Sequence, residues 1–393
     1  MKICFWTTSI FELGGIKRVT TILANELVKE HDVSIVTFEK RSQENRAMYG
    51  LSQQIKVEFA RGKDLKDNRS NPARYARSVL RHLNDKTGIF DHPGQEEFLR
   101  NIFYPTRVRN AWITYFNKKK YDVIIATAGL SMNLAVMADQ LNAQTIGWQH
   151  NRYDVYVNQK NKLFWKKESL IRKYFPKLDH YVVLNDFDKA EYKEKQGIDC
   201  VSMCNPRSVV SEKKAALNEK NFFVAARLSE AKGFDLLMDS FYQFCQQDDE
   251  WKLVIAGDGE LREEIIDLVW QYGLQERVVF TGMTNQVEKY YLDSSVYLMP
   301  SKWEGWGLVV IEAFEMGLPV IAYDIVPMDV LITNGYDGII VEKFDAGKYA
   351  AAMLELAHND ELRKKMGKRA VETARKFSAP KIAQLWIDMI NGN

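Results

Sequence analysis

Two carboxylates and two cations stand at spacings that could do chemistry. Glu304 and Glu312 lie in SKWEGWGLVVIEAFEMGLPV, Ser301 to Val320, where a glycine-rich turn leads into an aliphatic run. The run reads as a helix that begins near Gly307-Leu308 and stops at Gly317, a residue suited to the position just past a helix end. Pro319 then opens the next strand. Glu304 therefore falls in the turn, Glu312 about one turn inside the helix, and the amides of Leu308 and Val309 at the helix N-terminus. Arg227 and Lys232 lie in AARLSEAKGFDLL, residues 225–237, the first at a strand end and the second in the loop before a helix. Two fixed cations beside a helix N-terminus suit a diphosphate. Gly257-Asp258-Gly259 occupies a further strand-to-helix turn in LVIAGDGELREEI, without the G-x-G-x-x-G spacing of a dinucleotide fingerprint. VFTGMT, residues 279–284, ends another strand, where backbone groups around Gly282, Met283 and Thr284 could face a base.

Strands must position these turns. A chain of 393 residues is too long for one ordinary core and predicts two domains. A βαβ unit opens it: KICFWT at 2–7, the loop FELGG, a helix from Ile16 to about Lys29, and VSIVTF at 33–38. Short apolar runs recur at 55–59, 122–128, 144–148, 180–185 and 200–206. They restart with NFFVAAR at 221–227 and continue to GIIV at 338–341. Strand and helix alternating twice over predict an α/β chain of two doubly wound, Rossmann-like domains, residues 1–205 and 206–376. A C-terminal helix over 377–393 is expected to pack back on the first domain. Ligands of such sheets bind beyond the carboxyl ends of the strands, and two such edges can face a central cleft.

Charge divides the chain as well. Residues 1–205 hold 33 Lys and Arg against 23 Asp and Glu, a balance of +10, and the remainder holds 21 against 29, a balance of −8. A basic half suggests an anionic partner. Residues 61–120 break the strand rhythm with many basic and aromatic side chains. ARYARSVLRHL there reads as a basic amphipathic helix, and Arg74, Arg77, Arg81, Arg107 and Arg109 as a candidate membrane or acceptor surface. The plainer reading is a solvated helix packed on the sheet edge. No stretch approaches the ~20 apolar residues of a membrane span, and the first residues do not read as a signal peptide. Cys4, Cys200, Cys204 and Cys245 read as buried thiols in a reducing cytoplasm. Cys200 and Cys204, taken as residues of one strand, lie too far apart to share a metal. Asp186 and Asp188 form an Asp-x-Asp, but Asn185 as N-cap and acids in a first helical turn account for it. No metal and no cofactor is expected, nor a nucleic-acid partner.

The ordered set ARLSEAKG, IAGDGELR, FTG and MPSKWEGWGLVVIEAFEMGLPVIAYD resembles the retaining glycosyltransferases of family four, the glycosyl transferases group one. LGGIKRVTTILANEL resembles that family's first glycine loop and helix, and GWQHNRYD at 147–154 its catalytic-cleft histidine segment. The likeness is close over most of the second domain and covers the first at those two places and in strand pattern. It implies the GT-B fold of two Rossmann-like domains. It implies that Arg227, Lys232 and the amides of Leu308 and Val309 hold the donor diphosphate. Glu312 would accept from the ribose hydroxyls, Gly282 to Thr284 would meet the base, and Gly14 and Gly15 would let the first loop approach phosphate or acceptor. Glu304 would face the transferred sugar where an oxocarbenium ion develops, and His150 would contact that sugar as the second catalytic residue.

The expected reaction is transfer of a hexose or N-acetylhexosamine, with retention and without metal, from a nucleotide sugar to a lipid-linked (undecaprenyl-linked) or growing surface glycan, as in capsule or lipopolysaccharide synthesis. A UDP-sugar is favoured over a GDP-sugar by the resemblance alone. The place expected is the inner face of the cell membrane, on an anionic surface. One departure stands out: Val326-Pro327 replaces the Gly-Pro that many relatives carry. Two rival readings share the two-lobed architecture. A sugar-nucleotide 2-epimerase would need no acceptor surface, which the insert at 61–120 argues against. A non-enzymatic sugar-binding protein would need an export signal.

Overall fold

The computed structural model describes residues 1–60, 65 and 72–392. The chain divides into two units, Met1–Pro206 with Ala379–Asn393, and Arg207–Ser378. Residues 61–64 and 66–71 of the predicted insert lie outside the described residues. The fold is α/β, with one parallel sheet in each unit.

The first unit carries seven strands: β1 (Lys2–Thr7), β2 (Asp32–Thr37), β3 (Lys56–Phe59), β4 (Val123–Thr127), β5 (Gln144–Trp148), β6 (His180–Val183) and β7 (Val201–Ser202). Their order is β3-β2-β1-β4-β5-β6-β7, and every pairing is parallel. Ile3 to Trp6 and Val123 to Ala126 are buried without interruption, as the inner strands of a sheet covered on both faces require. The order reverses between β1 and β4. α1 (Gly15–Leu27) and the C-terminal helix Ala379–Asn391 pack against each other, and Trp386 meets Trp148 with ring centroids 4.9 Å apart.

The insert is helical: α2 (Pro72–Thr87), α3 (Glu96–Phe103) and α4 (Thr106–Lys119). α4 fastens it to the core, since Trp112 and Phe116 lie 4.5 and 5.2 Å from the Trp6 ring. Two of the predicted surface arginines prove structural. Arg109 is only 7% exposed, and its guanidinium donates to Tyr104 O, Asn101 Oδ1 and Thr106 Oγ1 at 2.9–3.0 Å. It satisfies the α3–α4 corner, where helix carbonyls lack their own donors, so it is not a docking side chain. Arg81 Nε likewise donates to Ile102 O at 2.8 Å and holds α2 to the end of α3. Arg74 is exposed, whereas Arg77 and Arg107 are half-buried. The predicted strand at 200–206 shrinks to Val201–Ser202, which leaves Cys204 beyond it; all four cysteines are free thiols.

The second unit carries β8 (Asn221–Ala225), β9 (Lys252–Ala256), β10 (Val278–Gly282), β11 (Val296–Met299), β12 (Val320–Tyr323) and β13 (Gly338–Val341). Their order is β10-β9-β8-β11-β12-β13, again all parallel, with the reversal between β8 and β11. No helix among the described residues is long and apolar enough to cross a membrane.

Candidate active site

In a doubly wound sheet the point where strand order reverses opens a crevice at the carboxyl ends. In the second unit that point lies beyond β8 and β11, and the predicted residues leave those two strands. After β8 the chain passes Arg227 and a single turn, Glu230–Lys232, before the helix Phe234–Cys245. After β11 it passes Ser301 and Glu304 to Gly307, whose φ of 91° precedes the helix Leu308–Glu315. Only glycine takes that backbone cheaply, and it starts the helix whose first residues are Leu308 and Val309, with amides that lack a partner within the helix.

The two exits are joined. Lys232 Nζ donates to Glu304 Oε1, and Ser301 Oγ donates to the same oxygen from 2.8 Å. Lys302 N donates to Ala231 O at 2.9 Å. Backbone hydrogen bonds tie the β9 and β10 exits into the same cluster. Leu228 N donates to Asp258 O and Gly257 N to Gly282 O, each at 3.0 Å. These chains run so close that a Cβ on Gly257, where φ is +145°, would lie 1.9 Å from Ala226 O. The Gly-Asp-Gly turn is thus a packing requirement of neighbouring loops. Arg227 stays at the surface with its Nη2 3.1 Å from Glu260, a solvent-exposed pair that holds the guanidinium only weakly. Past Gly282, Met283 is exposed.

Glu312 is no surface helix residue. It is 5% exposed, with Ser208 Oγ donating to Oε1 and the Tyr291 hydroxyl to Oε2 at 3.3 Å. One turn later Glu315 anchors the chain that enters the unit: Arg207 Nη1 lies 2.5 Å away, Lys214 Nζ 3.0 Å and Ser211 N 3.2 Å. Ser301, Ser208 and Tyr291 were not among the predicted site residues. Ser301 had a local signal, a serine three positions before an acid. Ser208 and Tyr291 reach Glu312 from far along the chain and had none.

In the first unit the loop between β1 and α1 carries Gly14 and Gly15. Gly14 has φ 148° and donates its N–H to the Tyr49 hydroxyl at 2.9 Å, and Gly15 is the first helical residue. The loop is held from beneath by Glu39, a buried acid just past β2 that accepts from Ile10 N, Phe11 N and Thr37 Oγ1 at 2.8–3.1 Å. Glu39 too was missed; its signal is a lone acid directly after an apolar strand. His150 follows β5 and packs against Trp148, with ring centroids 4.2 Å apart and the planes tilted by 48°. Burial pushes its imidazole down to about 3, so it is neutral at physiological pH. Its Nε2 is buried without a hydrogen-bond partner among the described residues. Asn185 caps the helix Asp186–Gln196 by accepting from Asp188 N at 2.8 Å. Both Asp188 oxygens are engaged, one by Tyr153 N and one by Asn185 Nδ2.

Two family models divide the chain between them. Glycosyltransferase Family 4 matches residues 13–203, and Glycosyl transferases group 1 matches residues 209–373. An uncharacterized glycosyltransferase of Haemophilus influenzae is 25% identical over 390 residues, 98% of each chain. A poly(ribitol-phosphate) alpha-N-acetylglucosaminyltransferase of Staphylococcus aureus is 26% identical over 255 residues, which are 64% of this chain and 51% of that protein. The crystal structure of a mutant S. aureus TarM, in complex with fondaparinux, alpha-GlcNAc-glycerol and UDP, superimposes with a TM-score of 0.76 at 17% identity, covering 100% of both chains. The two parallel sheets are those of the GT-B fold, and with one model on each unit the chain belongs to the group 1 glycosyltransferases.

Proposed function

We propose that this enzyme transfers a hexose or N-acetylhexosamine from a UDP-sugar, with retention of anomeric configuration, to a lipid-linked or growing surface glycan at the inner face of an anionic membrane. The observation that carries the donor half is the contact of Lys232 with Glu304 across the β8 and β11 exits, with Arg227 on the first exit and the helix starting at Leu308 on the second. Sugar transfer requires the diphosphate leaving group to be stabilised. Two cations and a helix N-terminus supply that charge without a metal ion. Lys232 already touches Glu304, so a diphosphate on Lys232 sets its anomeric carbon near that carboxylate. Glu312, fixed by Ser208 and Tyr291, presents a buried acceptor suited to ribose hydroxyls, and the β10 exit at Gly282–Thr284 suits the base.

We assign to His150 a hydrogen bond to a hydroxyl of the transferred sugar, a role that a neutral imidazole with an unused nitrogen fits. Glu304 is the carboxylate placed to stabilise a cation-like sugar, which favours attack from the face of the leaving phosphate over a double displacement. The name of one relative supports the acceptor half, a poly(ribitol-phosphate) alpha-N-acetylglucosaminyltransferase of S. aureus, and the UDP in the TarM complex supports a uridine donor. A thermal-shift screen of UDP, GDP and their sugars tests the donor. UDP at ~100 times its dissociation constant should stabilise the protein by ~2.7 kcal/mol. A response to GDP-sugars alone would overturn the assignment.

A further inference from the structure

We propose that α2 and the adjoining segment 158–167 form a docking surface for an anionic lipid bilayer, with α2 lying in the headgroup plane. This rests on the reading above that the acceptor is membrane-borne, and it names the surface that meets the membrane. A helix of a soluble domain normally turns its apolar stripe inward. α2 does the reverse. Tyr75, Val79 and Leu83 recur every fourth residue along one face and are 76%, 53% and 40% exposed. Asn84 is the one residue of its sixteen that is buried.

Polar contacts hold the other face. Asn84 Nδ2 donates to Lys166 O at 2.8 Å, Trp165 Nε1 donates to Asp85 O at 2.8 Å, and Arg81 bonds the end of α3. These contacts lay the segment 158–167 beside the second half of α2. Its Lys160 and Lys162 are exposed, as is Leu163 at 41%. Exposed cations flank the stripe, Arg74 and Lys86 on α2 and Lys160 and Lys162 on residues 158–167, which carry no acid. An apolar stripe flanked by cations, on a helix too polar to insert, is the pattern of an interfacial helix on anionic headgroups. The same charge opposes a second copy of this chain, which would set like charges face to face.

The test uses the full-length protein and sedimentation with vesicles of phosphatidylglycerol and phosphatidylcholine, with phosphatidylcholine alone as control. Binding should need the anionic lipid and weaken as salt rises from about 0.05 to 0.5 M. Val79→Asp with Leu83→Asp should lower the partition coefficient ~10-fold or more, and Lys160→Glu with Lys162→Glu should do the same. Both variants should keep the parent melting temperature and the parent rate of transfer from a UDP-sugar to a short soluble glycan. Unchanged vesicle binding in the folded variants overturns the proposal. So does binding to soluble poly(glycerol phosphate) without binding to vesicles, or a dimer that these substitutions dissociate. A protein that binds vesicles through these residues yet transfers no sugar would refute the proposed reaction and leave the docking surface standing.

Discussion

Lys232 makes the contact on which the donor site turns, and Lys232→Met separates its two roles. The side chain is 25% exposed and its partner Glu304 10%, so the pair sits at the edge of burial. Stripping the cation from a fully buried pair costs ~3–5 kcal/mol. Partial exposure and the remaining Ser301 hydroxyl reduce that here to ~1–3 kcal/mol. Loss of one charge-assisted bond to a diphosphate costs ~1.5–3 kcal/mol, a ~10- to 150-fold weaker dissociation constant for UDP. UDP carries no transferred sugar, so its affinity reads Lys232 without Glu304. The double variant Lys232→Met with Glu304→Gln removes the stranded carboxylate. It should recover most of the lost stability while binding UDP as weakly as the single variant. Calorimetric titration of UDP and urea unfolding of the parent, both singles and the double give the full cycle. UDP affinity unchanged in Lys232→Met, or restored in the double, would refute the diphosphate assignment.

Glu304→Gln alone keeps shape and one acceptor but no charge; turnover should fall ~10²-fold or more while UDP affinity stays within about twofold, and a fully active variant would contradict its role. Gly257→Ala drives a methyl into Ala226 O and should cost ~3 kcal/mol or more of stability, with weaker UDP binding; a parent-like melting curve would refute the crowding argument. Arg109→Ala should lower stability by ~2–4 kcal/mol, read by urea unfolding, because three acceptors lose a buried donor. His150, at about 3 when folded against ~6.5 when free, makes the unfolded state bind more protons between those values, so stability is lost as pH falls below ~6.5. The slope is at most ~1.4 kcal/mol per pH unit, and His150→Gln should flatten it. A ¹³C-labelled His150 ring that titrates near 6.5 would contradict this.

Much of the donor side was legible because its residues come in short contiguous pieces, each at a strand exit that apolar runs reveal. Arg227, Lys232, Gly257, Glu304 and Glu312 all sit where strand periodicity and a glycine turn place them. What the sequence concealed depends on contacts between distant segments. Ser208 meets Glu312 across 104 positions, and Glu39 holds a loop 28 residues before it. Arg109 looked like surface charge, since composition carries no sign of the corner carbonyls that bury it. The amphipathic character of α2 could be read from its residues, but which face packs could not. That was decided by Asn84 and Asp85 meeting residues of 165–166 far along the chain.

The central claim is that a sugar leaves UDP for a glycan on the face it came from. The most direct test incubates the protein with an α-linked UDP-sugar and a soluble glycan acceptor and reads the new linkage by the anomeric proton–proton coupling in NMR. An α-linked product is predicted for same-face attack beside Glu304. A β-linked product, formed at a rate that Glu304→Gln abolishes, would show inversion at this same site and contradict the account.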